Sequence, residues 1–202
     1  MQHYGVMLSH YQGKPDFDAL VRSGVEFINQ KATEGATVID PTFIPNVDAA
    51  YQRNLPVIAF HFYRPGKALA QLNSFLKVTN HPGVTFREID FETGGASPSA
   101  TIKEIVSISQ DLLTATNQRP ILYINPDYSH IFYGWGLNRL YYCLRHVANY
   151  DRGMPGSLWP FAGYHFWQYT QSARLDGIKG NAVLELAVTE LTTLKELSMQ
   201  KV

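Results

Sequence analysis

The sequence predicts an α/β fold, a parallel β/α barrel with an incomplete ring of helices, and three observations carry that reading. Short apolar or β-branched runs alternate with helical patterns through the first half of the chain. Strands separated by helices of that length imply parallel βαβ units. After five such units the chain becomes strand-rich and less regular. Its 202 residues and 45% apolar content suffice for one large core, so residues 1–202 are expected to form a single barrel.

The elements follow in order. His3–Leu8 is the first expected strand. Asp16–Ser23 reads as a helix, with Pro15 beside a good capping residue. Glu26–Lys31 reads as strand, Pro45–Arg53 as helix and Pro56–Tyr63 (PVIAFHFY) as a strong strand. Lys67–Val78 is helical and Thr85–Phe91 strand. Ser97–Thr116 is a long amphipathic helix with apolar residues near helical spacing. Arg119–Ile124 (RPILYI) is the next strand. Leu137–Leu144 reads as helix, Arg145–Asn149 as a short strand and Tyr164–Tyr169 (YHFWQY) as another. Ala182–Leu197 suits a closing strand or a closing helix. No repeat, low-complexity tract or linker divides the chain.

Composition narrows the function classes. Seventeen basic and seventeen acidic residues cancel, so no basic field is present to hold nucleic acid or an anionic membrane surface. No apolar run approaches the ~20 residues of a membrane-spanning helix. The opening MQHYGVMLSHYQG lacks a basic segment followed by an apolar one, so no secretory signal is expected. The chain is expected to be made in the cytoplasm and to reach any outside target by another route. A single cysteine, Cys143, excludes an internal disulfide and a cysteine-based zinc cluster; in YYCLRHVA it reads as a small core residue. The histidines are scattered without metal-ligand spacing. No phosphate loop and no G-x-S-x-G elbow occurs. No metal and no cofactor is expected.

One stretch conflicts with an ordinary strand. In VTFREIDFETGG, Glu88, Asp90 and Glu92 recur every second residue, and side chains alternate across a strand. Three carboxylates would share one face, where burying even one unpaired charge is costly. In β/α barrels the chemistry sits at the C-terminal strand ends. That rule puts Glu92 at the mouth, Asp90 just inside and Glu88 deeper. An acidic i, i+2 pair on an ordinary strand is more often a solvated or salt-bridged face.

Seven phrases in one order carry a more specific signal: VMLSHYQG, KATEG (Lys31–Gly35), FHFYRPG (Phe60–Gly66), IDFE (Ile89–Glu92), PILYIN (Pro120–Asn125), VANY (Val147–Tyr150) and FWQYT (Phe166–Thr170). The series, from about Gly5 to Gly180, resembles glycoside hydrolase family 25, the Chalaropsis-type lysozymes that include many phage endolysins and bacterial autolysins. The resemblance implies an irregular TIM-like (β/α)5(β)3 barrel. It also implies N-acetylmuramidase activity on the β-1,4 bond from N-acetylmuramic acid to N-acetylglucosamine in peptidoglycan. By the same resemblance Glu92 is the general acid and then base, and Asp90 stabilises the positively charged intermediate. The chemistry is compatible. Glycoside hydrolysis needs two carboxyls in different protonation states, and a pair ~5–5.5 Å apart favours retention. Residues i and i+2 on a strand have Cα atoms roughly 6.6 Å apart. Like charges so placed push one pKa upward, and Glu92 is expected to be the raised one.

Other positions follow from the matching phrases. Tyr123 and Tyr150 are expected near the −1 sugar, and Trp167 and Gln168 at a strand end suited to ring stacking and amide hydrogen bonds; each also suits the core. Glu34 is expected to anchor a loop at the cleft rim. His61 reads as a hydrogen-bonded core histidine. Phe60 stands where the family commonly has Tyr. Glu88 reads as an interior carboxylate paired with a basic or hydroxyl group. Two departures stand out: Met7 replaces the first-strand Asp, and Val183 replaces a second Asp, with Glu185 two residues on. Two readings therefore stay open. In one, Asp90 and Glu92 suffice, with Glu88, Glu34 or Glu185 replacing part of the lost field. In the other, the barrel binds glycan or serves structurally without cutting. The expected partner is the peptidoglycan glycan strand, met by a monomer acting on the wall after release in a phage or prophage context.

Overall fold

A computed structural model describes residues 2–92, 98–125, 139–150, 155 and 163–200. Its strands are β1 (His3–Leu8), β2 (Phe27–Glu34), β3 (Val38–Ile39), β4 (Val57–Phe62), β5 (Val84–Phe91), β6 (Ile121–Ile124), β7 (Leu144–Ala148), β8 (Phe166–Ala173) and β9 (Ala182–Ala187). Its helices are α1 (Phe17–Arg22), α2 (Phe43–Tyr51), α3 (Ala68–Val78), α4 (Pro98–Thr116) and α5 (Leu191–Met199). Strands β1, β2, β4, β5, β6, β7 and β8 pair in parallel. β9 runs antiparallel between β8 and β1 and closes the circle at eight strands. The short β3 folds back on the end of β2 as a hairpin. The expected irregular barrel is the fold observed.

Local chemistry sets the boundaries. Asp16 caps α1 by accepting from the Ala19 amide at 3.0 Å. α2 begins at Phe43, earlier than expected, with Pro45 inside its first turn where a missing N–H costs nothing. β2 continues past Lys31 to Glu34 through an irregularity between Lys31 and Thr33. The tail takes both expected forms, strand β9 and then helix α5. The helix expected over Leu137–Leu144 is not formed. Its first two residues lie outside the described residues, and the rest turn sharply into β7. The Cys143 amide bonds Leu140 O at 3.0 Å, and the Leu144 amide bonds Pro120 O at 2.9 Å, joining the ladder beside β6. Strand pairing outweighs the local helical pattern there.

Apolar residues divide by strand parity. One set, with Ile28, Val57, Ile89, Phe91 and Leu122, packs outward against the helices. The other plugs the barrel: Phe27, Ile58, Phe86, Ile121, Leu144, Phe166 and Ala187, sealed from below by Leu194 of α5. Phe166 meets Phe27 and Phe86 edge-on at 5.9 and 6.1 Å between ring centres. A Cβ on Gly5 would lie 2.2 Å from the Phe27 ring, so only glycine fits on β1 at that level. The floor is closed, and access is from the C-terminal strand ends.

Candidate active site

Strand β5 climbs from this floor one interior residue at a time: Phe86 in the plug, then Glu88, Asp90 and finally Glu92 just past the strand end. Glu88 and Asp90 are buried, and Glu92 is half-buried.

Directly above the plug lies a buried polar tier. Glu88 Oε2 is 2.8 Å from His146 Nδ1. Asn29 Nδ2 donates to Glu88 Oε1 and to Glu185 Oε1, each at 3.2 Å. His146 Nε2 lies 3.7 Å from Glu185 Oε1. Burial works against a charged His146, yet Glu88 and Glu185 outweigh it and raise its pKa. Burial pushes the Glu185 carboxyl up to about 7, with Glu88 adding and His146 opposing. Glu88 is thus an interior carboxylate with a base as its partner.

The next tier opens into a cavity of about 220 Å³. Asp90, Glu92 and Lys31 line it together with Phe60 and Phe62. Met7 and Val183 line it too, as direct neighbours across the β1–β9 ladder. β9 stands diametrically across the eight-strand circle from β5. Asp90 Oδ1 is buried with no hydrogen-bond partner. Burial, then Glu92 and Glu88, raise the Asp90 pKa well above the usual carboxylate range, against an opposing pull from Lys31. The sequence points to Glu92 as the raised member of the pair. In the structure Asp90, buried below the mouth, is pushed upward.

Tyr123 OH donates towards Glu92 Oε1 at 3.3 Å and lies 3.0 Å from Gln168 Oε1. Tyr150 OH donates to the same Gln168 oxygen. Burial pushes the Tyr150 phenol up to about 12, so it stays a donor at neutral pH. Gln168 Nε2 donates to Glu185 Oε1 at 3.3 Å and faces the Met7 sulfur at 3.4 Å. The structure therefore brings Asp90, Glu92, Tyr123, Tyr150 and Gln168 together. Trp167 is not among them. Strand alternation turns it to the face of β8 opposite Phe166 and Gln168, where its N–H donates to Asn149 O at 3.1 Å.

Glu34 stands at the rim, bonded to Lys31 Nζ and Arg64 Nη2 at 2.6 Å each. Burial would raise its pKa, but the two cations prevail and lower it. Both cations also lie over the Phe62 ring. His61 faces the helices: Nδ1 meets Thr33 Oγ1 at 2.7 Å and Nε2 meets Gln71 Oε1 at 3.0 Å. Burial lowers its pKa to about 4 and keeps it neutral. Asn29 and His146 join the site without any motif to announce them. The signal available in the sequence is parity, since each is a polar residue at an inward position of a strand.

The chain matches the family model for Glycosyl hydrolases family 25 over residues 6–178. It is 24% identical, over 88% of its length, to the protein YegX of Escherichia coli (strain K12), and it spans only 66% of that relative. It is 30% identical to an N,O-diacetylmuramidase of Arthroderma benhamiae, over 86% of this chain and 79% of the relative. A solved family 25 glycosyl hydrolase from Bacillus anthracis superposes with a TM-score of 0.84 at 22% identity, covering 98% of this chain and 94% of that one.

Proposed function

Because the chain belongs to glycosyl hydrolases family 25, we propose that it is a lysozyme-type peptidoglycan hydrolase, an N-acetylmuramidase that cuts from N-acetylmuramic acid to N-acetylglucosamine. The observation that carries the reading is the stacked carboxyl pair, Asp90 enclosed and Glu92 at the mouth, in a cavity floored by the barrel. A formally neutral chain also suits a neutral sugar backbone better than a polyanion.

Burial and the charges of Glu92 and Glu88 favour a proton on Asp90. Before substrate arrives, the enclosed Asp90 favours the proton, and Glu92 accepts from the Tyr123 hydroxyl. In the reaction, positive charge develops at the sugar and draws Asp90 towards its ionised form, leaving the proton with Glu92. Glu92 then delivers that proton to the leaving oxygen as the C1–O bond breaks. The substrate's own acetamido oxygen bonds C1 from the opposite face, and the Asp90 carboxylate steadies the oxazolinium. Water next attacks C1, the C1–O bond to the acetamido oxygen breaks, and Glu92 accepts the water's proton. Two inversions give net retention. Tyr123, Tyr150 and Gln168 orient Glu92 and the −1 sugar, and Glu34 holds Lys31 and Arg64 at the rim.

One observation favours a second reading. Met7 and Val183 place an apolar pair across the cavity from the acids, which suits a barrel that binds glycan without cutting it. Purified cell wall separates the two. The expected result is falling turbidity and, after borohydride reduction, products that carry muramitol at their ends, with Glu92→Gln inactive. Wall binding without any cleavage by the unaltered chain would establish the second reading instead. Products ending in reduced glucosamine would reassign the bond.

A further inference from the structure

The buried tier beneath the cavity is larger than a structural ion pair requires, and it connects to Glu92. His146 lies between Glu88 and Glu185, with a carboxylate facing each ring nitrogen. Glu185 Oε1 in turn accepts from Gln168 Nε2. An amide has one donor end and one acceptor end. Anchoring Nε2 on Glu185 therefore turns Oε1 towards the hydroxyls of Tyr123 and Tyr150: Tyr150 donates to it, and the single Tyr123 proton is shared between it and Glu92. The opposite orientation would set the Gln168 oxygen against the Glu185 carboxylate, acceptor against acceptor. Met7 offers the amide only a sulfur at 3.4 Å, a weak acceptor that cannot fix its sense alone. With the tyrosines held, Tyr123 sits 3.3 Å from Glu92 Oε1.

We infer that Glu185 is a positioning residue that sets the Gln168 amide and, through Tyr123 and Tyr150, aims Glu92. The inference rests on the role proposed above for Glu92. It gives the interior acids a part in the reaction. Glu185 acts from below, at a point where the wall above it is formed by Met7 and Val183. That action is also sensitive to protonation. Glu185 faces Asn29 of β2, Glu88 of β5, His146 of β7 and Gln168 of β8. Its β1 neighbour, Gly5, brings no side chain. A protonated Glu185 no longer repels the amide oxygen, so its hold on the amide sense weakens as pH falls through about 7.

Two readouts test this on the full chain. The first is kinetics on a soluble peptidoglycan oligomer with Glu185→Gln and His146→Gln, folding checked by thermal melts. Misaiming a catalytic group costs on the order of 10–100-fold. The expected result is a kcat loss of that size, KM within about twofold and a displaced limb of the pH–rate profile. Folded variants with unchanged kcat and an unchanged profile would overturn the inference. The second readout needs no activity: the Gln168 side-chain NH2 resonances of the unaltered protein, followed by NMR. They should move with the titration of Glu185 near pH 7 and stop moving in Glu185→Gln, or in His146→Gln move at a different pH. Resonances that ignore pH in the unaltered protein would overturn it. If the unaltered chain fails to cut peptidoglycan, the proposed function fails, while the NMR result still decides whether Glu185 sets the amide.

Discussion

The two ends of the barrel interior are built on opposite terms. The floor is an apolar plug of Phe27, Ile58, Phe86 and Phe166 in direct contact, with glycine where a ring needs the space. In the two tiers above it the same barrel carries Glu88, Asp90, His146, Gln168 and Glu185. Some of their polar atoms, Asp90 Oδ1, Glu185 Oε2 and His146 Nε2 among them, have no hydrogen-bond partner. Buried polar atoms left in this condition cost stability, whereas the plug supplies it. The plug and the outward core against the helices hold the fold, and the interior of the upper tiers is free for chemistry because neither needs it.

Editing one end and measuring both properties tests this division. Glu92→Gln should reduce cell-wall hydrolysis by about 10²–10⁴-fold, the range for general acid–base groups. Its melting temperature should stay close to that of the unaltered chain, because Glu92 is only half-buried. A variant that lost activity by unfolding would remove the distinction between the ends.

The reverse edit lies at the floor. Phe86→Ala removes a fully buried ring from the plug and should cost about 3–5 kcal/mol. Activity per folded molecule should remain, since the acids sit two tiers away. Urea unfolding against specific activity gives the comparison directly. Loss of specific activity in folded protein would mean that the floor shapes the site.

How much of this is legible in the sequence follows the range of the physics involved. Strand alternation acts over two residues, so the run Glu88, Asp90, Glu92 announces its shared face and its place at the barrel mouth. The same rule turns Trp167 away once Phe166 and Gln168 are placed inward, yet that requires knowing which parity faces in. The partnership of Glu88 with His146 spans 58 residues and depends on β5 and β7 flanking β6, which no local pattern records. The failed helix at Leu137–Leu144 has the same origin: a local period lost to a ladder bond with Pro120.

The middle tier offers an intermediate test. Glu88→Leu leaves His146 facing only Glu185, at 3.7 Å, and should destabilise by about 2–3 kcal/mol as a charged hydrogen bond is lost. Replacing His146 as well, in Glu88→Leu/His146→Leu, should recover most of that loss, because the orphaned ring is gone. A double variant as unstable as the sum of the singles would show that the pair is not coupled.

The smallest expected effect is also the one that separates the two ends without any change of packing: pH. Glu185 is raised to about 7 in the folded chain from an ordinary value near 4.5. Between those values the native state binds a proton that the unfolded chain has released. Linkage then requires stability to fall as pH rises across that window. His146, raised above 6.5, acts in the same direction, because its native proton is lost only at higher pH than in the unfolded chain. His61 and His165, both lowered to about 4 by burial, oppose this below about pH 6.5. The melting temperature should therefore decline between about pH 6.5 and 8, and Glu185→Gln should flatten the decline. Phe86→Ala should lower the whole curve and leave its slope alone, since the plug contains nothing that titrates. If Glu185→Gln keeps the full slope, the pH sensitivity comes from elsewhere in the molecule, and the division between an inert floor and a titrating tier above it fails.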